Sequence, residues 1–322
     1  MKAFILNKPG AANSLKLENI DVPQPRKNEV LIKHKAIGVN YFDIHFRNGS
    51  YHVSKLPAIL GMEACGHIEA LGPGVTDYKV GERVAYATGG IGAYTEKRVI
   101  NQKFLLTPPS SLSDIQIAGS LLKGLMAHTL LFRVYLAQRA KRILVHSAAG
   151  GVGQFLCNWG KHLGLKIIGT VGDDSKIAIA KAAGCDRVIN YRKTDFLEEV
   201  AKITKGGGVG LVYDGVGKDT ILKSIDCLWP MGICVSYGEA SGPTPDINLN
   251  RLLMNSLYIT RPTLALYKAA RVELVLAARE VFKKLEQQIL RPNIKTYDFR
   301  DLPRAHQDME SRLSTGSLVL KL

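Results

Sequence analysis

A chain of 322 residues that is 46% hydrophobic and 22% charged is long enough for two compact units and too apolar to stay disordered. Gly has no three-residue period and the 13 Pro are scattered, which excludes collagen-like and coiled-coil chains. The formal net charge of +15 makes nucleic acid one candidate partner. Acids are interleaved with the bases, as in Lys193-Thr194-Asp195, and no basic tail exists, so a generally basic surface with a pocket for an anionic ligand is the favoured reading. Lys, Arg, Asp or Glu interrupts every long apolar stretch, so no membrane span is expected. The five Cys are odd in number and form no Cys-x-x-Cys, which reads as reduced thiols in a cytoplasmic protein.

Residues 1 to about 110 read as β. Lys2–Leu6 is strand-like and ends in the turn Asn7-Lys8-Pro9-Gly10, too short an apolar stretch for a signal segment. Residues 29–37 alternate with a period near two, and 66–71 end at Gly72-Pro73-Gly74. Residues 81–86 start another strand, and short strands with Gly/Pro turns suggest a barrel-like unit. Residues 112–138 are apolar and helix-favouring. From Arg142 strands and helices alternate: strands at 142–146, 166–171, 187–189, 210–214, 232–236 and 257–260, helices at 152–163, 175–183, 195–203 and 219–228. Repeated β-α-β units demand a parallel sheet with helices on both faces. Residues 268–288 read as one amphipathic helix, and the β-like tail 318–322 is expected to return to the N-terminal unit.

The strongest chemical signal is Ser147-Ala148-Ala149-Gly150-Gly151-Val152-Gly153, between the first strand of this series and its helix. Such a turn brings the backbone close to a pyrophosphate, and the helix N-terminus offers free N–H groups and positive dipole charge. The next strand ends Gly169-Thr170-Val171-Gly172. Val171 stands where an NAD site carries an acid for the ribose 2′-OH, and it accepts no hydrogen bond. Lys176 and Tyr191-Arg192 lie just beyond, and Lys176 can pair with a 2′-phosphate, which favours NADP. Asp173 and Asp174 oppose a phosphate unless they cap the helix opening at Ser175.

Further motifs are Ala36-Ile37-Gly38-Val39-Asn40, Gly61-Met62-Glu63-Ala64-Cys65-Gly66, Val80-Gly81-Glu82-Arg83-Val84, Val188-Ile189-Asn190-Tyr191, Tyr213-Asp214-Gly215-Val216-Gly217 and Thr260-Arg261-Pro262, with Ser311-Arg312 in the tail. With the glycine loop they resemble, over essentially the whole length, the medium-chain dehydrogenase/reductase superfamily and its NADPH:quinone oxidoreductase (zeta-crystallin-like) branch. The zinc alcohol dehydrogenases of that superfamily hold a catalytic metal. Where they have ligands this chain has Asn40, Met62 and the stretch Leu122-Lys123-Gly124-Leu125, and Thr88 to Tyr94 replaces their four-Cys lobe. These side chains are not a zinc ligand set, so no metal is expected and alcohol oxidation is disfavoured for want of a Lewis acid.

The resemblance implies an α/β protein: a GroES-like β-barrel catalytic domain (1–121 with 261–322) and a doubly wound Rossmann NADP-binding domain (122–260). It implies NADPH-dependent, zinc-independent reduction of quinones, with NADPH in the cleft between the domains. Asn40, Tyr51 and His45 are the expected catalytic residues, Asn40 facing the nicotinamide and Tyr51 an acceptor oxygen. His45 stands where relatives carry Tyr, Met126 where they carry Thr and His128 where they carry an aromatic, the last expected to wet the nicotinamide pocket. The expected cofactor-binding residues are Asn40, Lys123, Ala149, Gly150, Gly151, Val152, Gly153, Gly172, Lys176, Tyr191, Val216, Tyr237 and Arg312. A homodimer through the last Rossmann strand near Tyr258 is also implied. The rival readings are an NADPH-dependent enone or alkenal double-bond reductase on the same scaffold and, from another class, a nucleic-acid-binding protein.

Overall fold

The computed structural model describes residues 1–322, which divide into two compact units. One contains residues 1–123, 268–286 and 292–322, the other 124–267 and 287–291. Residues 261–267 and 287–291, expected with the barrel unit, thus pack with the nucleotide-binding unit.

In chain order the first unit opens with β1 (Lys2–Leu6), β2 (Leu15–Asn19), β3 (Glu29–Val39), α1 (Tyr41–Asn48), β4 (Ala58–Ile59), β5 (Glu63–Leu71), β6 (Arg83–Tyr86) and β7 (Lys97–Asn101). Helix α2 (Asp114–Thr129) follows and continues through a π turn, Leu130–Val134. Then come β8 (Arg142–Val145), α3 (Gly151–His162), β9 (Lys166–Val171), α4 (Ile177–Ala182), β10 (Arg187–Asn190), α5 (Phe196–Thr204), β11 (Val209–Asp214), α6 (Ile221–Asp226), β12 (Leu228–Ser236), α7 (Asn250–Leu253), β13 (Tyr258–Thr260) and α8 (Leu264–Tyr267). Helix α9 (Arg271–Glu286), β14 (Ile294–Asp298), α10 (Leu302–Glu310) and β15 (Ser317–Lys321) belong again to the first unit.

The first unit is built around β3. Its even-numbered side chains Ile32 and His34 are buried while Lys33 and Lys35 face out, the alternation seen in the sequence. Strand β3 pairs antiparallel with β5, with β7 along its first half and with β15 along its last residues, so the tail does close on the N-terminal unit. Ile32, Ile37, Ile68, Tyr86, Leu318 and Leu320 join one apolar core. At Gly38 a Cβ would lie 2.3 Å from the Ala118 carbonyl oxygen and 2.3 Å from Glu63 Oε1, so only glycine lets β3 pass α2 this closely. In the segment that replaces a four-Cys lobe, Arg98 Nη2 donates to the carbonyls of Gly89 (2.9 Å), Gly90 (3.1 Å) and Ile91 (3.0 Å). A buried guanidinium gathers these carbonyls without thiolates.

The second unit is one parallel sheet in the order β10-β9-β8-β11-β12-β13, doubly wound as expected. The order reverses beside β8 and β11, and the chain leaves their C-terminal ends into the glycine loop and the Gly215–Gly217 turn. Helix α6 stops at Asp226, short of the expected 228, because Leu228 already pairs with Val209 at the start of β12.

The segment Asp114–Val134 is, by length and composition, long and apolar enough to cross a membrane, despite Asp114 and Lys123. Yet 67% of its most apolar 18-residue stretch is buried, and a helix enclosed on most sides is apolar on most faces, which is the core-helix pattern. Helix α1 was unforeseen: Asn40 is its N-cap, with its N–H on Asp43 Oδ2 at 2.9 Å.

Candidate active site

Strand β3 delivers Asn40 to the start of α1, strand β5 begins at Glu63, and α2 carries Lys123. The three side chains form a closed buried cluster. Asn40 Nδ2 donates to Glu63 Oε1 at 2.9 Å. Lys123 Nζ donates to Asn40 Oδ1 at 2.7 Å and to Glu63 Oε1 at 2.9 Å. The Leu122 N–H donates to Glu63 Oε2 at 2.8 Å. Glu63 is 0% exposed and Lys123 5%, and such burial is tolerable only because opposite charges and hydrogen bonds satisfy each other. The amide orientation follows from its neighbours: oxygen to the ammonium, nitrogen to the carboxylate.

A second buried chain starts at the other end of the α1 cap. Asp43 Oδ2 accepts from the Asn40 N–H and, at 2.7 Å, from the Tyr94 hydroxyl. His306 Nε2 lies 3.1 Å from Tyr94 Oη, and its Nδ1 lies 3.4 Å from Arg47 Nη1. Arg47 is buried, donates from Nε to the Gly10 carbonyl at 3.1 Å, and is paired with Glu310. On the same helix His45, 9% exposed, stacks 4.7 Å from the Tyr51 ring and 5.3 Å from Tyr41. Phe42 and Phe46 also border Tyr51. The expected catalytic residues therefore fall into two groups: Asn40 with Glu63 and Lys123, and His45 with Tyr51 in an aromatic cluster.

In the second unit Ser147 holds a positive φ of 53°, and α3 begins with Gly150 as N-cap. At Gly153 a Cβ would lie 2.1 Å from the Ser147 carbonyl oxygen, so glycine is required for the helix to start against the strand end. Ala149 is buried, and its carbonyl accepts from Gln154 Nε2 at 2.7 Å. The first-turn amides of α3, at Gly151, Val152 and Gly153, have no acceptor within the helix. Such a cradle fits a pyrophosphate.

Beside it, Val171 ends β9 buried, and a Cβ on Gly172 would lie 3.2 Å from the Tyr191 hydroxyl. Asp173 caps the following turn through the Ser175 N–H (2.9 Å) and Oγ (2.6 Å). Asp174 does not cap: Asn190 Nδ2 (2.6 Å) and Lys193 hold it. Both acids are thus engaged, and half-buried Lys176 ends the same turn.

The far side of the strand ends is fixed by Asp214. Its Oδ1 accepts from the Val216 and Gly217 amides (2.9 and 3.0 Å) and its Oδ2 from Ser224 Oγ (2.7 Å). Ser224 also meets His146 Nε2 at 2.9 Å. This Ser-His-Asp contact is no nucleophilic triad, because all three are buried and the serine proton goes to the carboxylate. It sets the turn that carries Val216. The Tyr237 N–H donates to the Asp214 carbonyl at 2.8 Å, and the tyrosine ring covers Gly215. Neighbouring Ser236, at the end of β12, has a buried hydroxyl with no protein partner. His128 stacks with Phe132 (5.1 Å) and Trp159 (5.8 Å) in an aromatic group. Arg312, with φ of 60°, follows α10 in the first unit, where its charge acts on Tyr41.

The buried histidines predict acid sensitivity. Burial pushes His34 down to about 4 and His306 down to about 3, from an ordinary value of 6.5. The unfolded chain takes up these protons first, so their stabilisation is complete above pH 6.5 and is lost as pH falls toward 4 and 3. Asp43, raised by burial to about 7, works the other way between 7 and 3.8, where only the folded state keeps the proton. Buried His146 is shifted down in the same way, so the histidines outweigh Asp43 and stability falls as pH drops below 6.5. Urea midpoints followed by circular dichroism should fall from pH 6.5 to pH 4.5; a flat or rising series contradicts this balance.

Glu63, Asp43, Arg47, Tyr94, His306, Ser236 and the anchoring role of Asp214 were not foreseen as site features. Glu63 opening an apolar strand run was one legible signal, since a carboxylate there needs a partner. The Asn40-x-x-Asp43 spacing was another.

Comparison with known proteins bears directly on these parts. Residues 26–130 match the family model described as "Alcohol dehydrogenase GroES-like domain", and residues 151–277 match "Zinc-binding dehydrogenase". No group of three His, Cys, Asp or Glu side chains stands together where it could hold a metal ion. Quinone oxidoreductase 1 of Escherichia coli is 40% identical over 318 residues, covering 98% of this chain and 97% of that one. A 2-haloacrylate reductase of a Burkholderia species is 38% identical over 326 residues, covering 99% and 98%. The crystal structure of Escherichia coli quinone oxidoreductase complexed with NADPH superposes with a TM-score of 0.96 at 39% identity, covering 100% of both chains. A GroES-like unit, a Rossmann unit and full-length identity of this order place the chain in the quinone oxidoreductase (zeta-crystallin-like) family of the medium-chain dehydrogenases/reductases.

Proposed function

We propose that this chain reduces quinones with NADPH and without zinc, and that it works in the cytoplasm. The observation that carries the reading is the Asn40–Glu63–Lys123 cluster: where metal-dependent relatives place ligands, this chain has an amide locked between a carboxylate and an ammonium. An acceptor that already contains an electron sink needs positioning and a polar environment for developing charge rather than a Lewis acid.

The residues fit a dinucleotide. The free amides of Gly151, Val152 and Gly153 at the α3 N-terminus hold the pyrophosphate, with Gly150, whose own N–H closes the turn on the Ser147 carbonyl, and Ala149 shaping the loop beneath them. Gly172, Lys176 and Tyr191 receive the adenosine end; Val171 in place of an acid and the engaged Asp173 and Asp174 favour a 2′-phosphate. Val216 and Tyr237, set by Asp214, flank the nicotinamide half, and Arg312 supplies charge to the phosphates. NADPH supplies the hydride when bound. Asn40 and Lys123 orient the nicotinamide end, and Tyr51 with His45 offers hydrogen-bond donors to the acceptor oxygen.

The test is oxidation of NADPH and of NADH with a panel of quinones and enones, with and without a chelator. Chelator-insensitive turnover with quinones that prefers NADPH supports the proposal. Turnover with enones alone replaces it with a double-bond reductase, a reading favoured by the identity to a 2-haloacrylate reductase. Silence with all acceptors despite NADPH binding sinks both, and salt-sensitive binding to nucleic acid would then take their place.

A homodimer through the second unit belongs to the same reading. Strand β13 ends the sheet order, and Met231, Leu249, Leu253, Met254, Tyr258 and Leu266 are all exposed on that unit. An apolar group beside an unpaired edge strand suits a second copy of the same surface. The cytoplasmic assignment is supported by five buried cysteines, none in a disulfide.

A further inference from the structure

Asp43 is a buried carboxyl that the Glu63–Lys123 pair does not explain. It is 0% exposed, no cation touches it, and its Oδ1 has no hydrogen-bond partner. The chain behind it has a direction. Arg47 has only donors, so at 3.4 Å it donates a hydrogen bond to His306 Nδ1. The ring then carries its hydrogen on Nε2 and donates to Tyr94 Oη at 3.1 Å, which leaves the Tyr94 proton for Asp43 Oδ2 at 2.7 Å. The Asn40 N–H points at the same oxygen. Every donor in the chain favours the ionised carboxylate.

Other groups oppose ionisation. Burial disfavours the charge, as does Glu63 on β5, while Lys123 on α2 favours it. Arg47 on α1 and Glu310 on α10 pair with each other at the far end, and His306 on α10 stays neutral. Burial outweighs these donors and holds Asp43 at about 7. A group held there changes charge in the working range.

We propose that Asp43 is a positioning residue for the reduction site, acting on the Asn40–Glu63–Lys123 cluster through the Asn40 amide, with Tyr94 and His306 tuning its charge. The inference rests on the reading that this cluster serves hydride transfer. With Asp43 neutral the cluster's charges sum to zero. With Asp43 ionised a second carboxylate stands beside Asn40, and the added negative charge opposes charge developing on an acceptor. The rate of hydride transfer therefore falls as pH rises through the Asp43 titration.

The experiment is single-turnover oxidation of bound NADPH by a water-soluble p-benzoquinone across the neutral range, repeated with deuterated NADPH so that the hydride step is the one read. The same series is run with an enone acceptor. In the wild-type chain the rate has an alkaline limb with a midpoint near 7, falling up to about tenfold per pH unit beyond it. Asp43→Asn loses the limb. Tyr94→Phe removes one donor that favours the carboxylate and moves the midpoint up by about one unit. A merely structural role would lower the melting temperature without moving the midpoint. A limb that survives Asp43→Asn, a midpoint unmoved in Tyr94→Phe, or no limb in the wild type overturns the proposal. A wild-type chain that turns over neither acceptor at any pH overturns the functional reading itself, and this proposal with it.

Discussion

Replacing Glu63 with alanine is expected to destabilise the first unit by about 3–5 kcal/mol. The carboxylate is completely buried and serves three donors: Lys123 Nζ and Asn40 Nδ2 on Oε1, and the Leu122 amide on Oε2. Its removal strands an ammonium that is 5% exposed and leaves a buried amide group and a buried N–H without acceptors. Each loss carries its own desolvation penalty. The penalty is for breaking the pair, not for lacking it. The double variant Glu63→Gln with Lys123→Met removes both charges at similar volume and recovers most of the loss. Urea unfolding followed by circular dichroism measures both, since Trp159 and Trp229 lie in the other unit and do not report on this one. A loss below about 1 kcal/mol for Glu63→Ala would show that water reaches Lys123 and that the cluster is not closed. Quinone turnover should fall with the single variant and stay low in the double, where the charges are absent although the fold is restored.

The second large effect falls on the glycine loop. Gly153→Val places a Cβ 2.1 Å from the Ser147 carbonyl oxygen, 2.9 Å from its carbonyl carbon and 3.0 Å from Ala148 Cα. All three are backbone atoms of the turn itself, so no side chain can swing aside. The loop must move away from α3, and the amides that converge on a pyrophosphate no longer converge. The expected result is NADPH binding weakened at least about 100-fold, near 3 kcal/mol, against a stability loss of about 1–3 kcal/mol. Gly164→Ala is the control. It sits just past the other end of the same helix at φ of 80° with open space around it, so it costs only about 1 kcal/mol of backbone strain and leaves binding unchanged. Quenching of NADPH fluorescence reads both. Wild-type affinity in Gly153→Val would mean that the dinucleotide does not sit on this turn.

The second unit was nearly transparent to sequence reasoning, and the reason is locality. A parallel strand buried on both faces is a short apolar run, a glycine turn follows it, and an amphipathic helix closes the unit, all within about 20 residues. Strand β9 therefore begins and ends where its residues say, at Lys166 and Val171. The glycine loop is legible for the same reason: Gly153 is demanded by Ser147, six positions away in the chain.

The first unit was legible only in outline. Its strands announced themselves, but α1 did not, because Tyr41 to Asn48 shows no long apolar stripe and its start is defined by the pairing of Asn40 with Asp43. Its chemistry was harder still. Lys123 read as a cofactor ligand and Glu63 as part of a motif, and nothing in the 60-residue separation between them says that they meet. The chain from Asp43 through Tyr94 to His306 spans more than 250 residues and closes only because β15 returns to β3 and brings α10 with it. The sequence by itself determined the order of the elements, the dinucleotide turn and the absence of zinc-ligand residue types at Asn40 and Met62, since each depends on residue type and short spacing. Tertiary structure alone decided which buried charges face one another, because a carboxylate's partner is chosen by the surface it packs against and not by its neighbours in the chain.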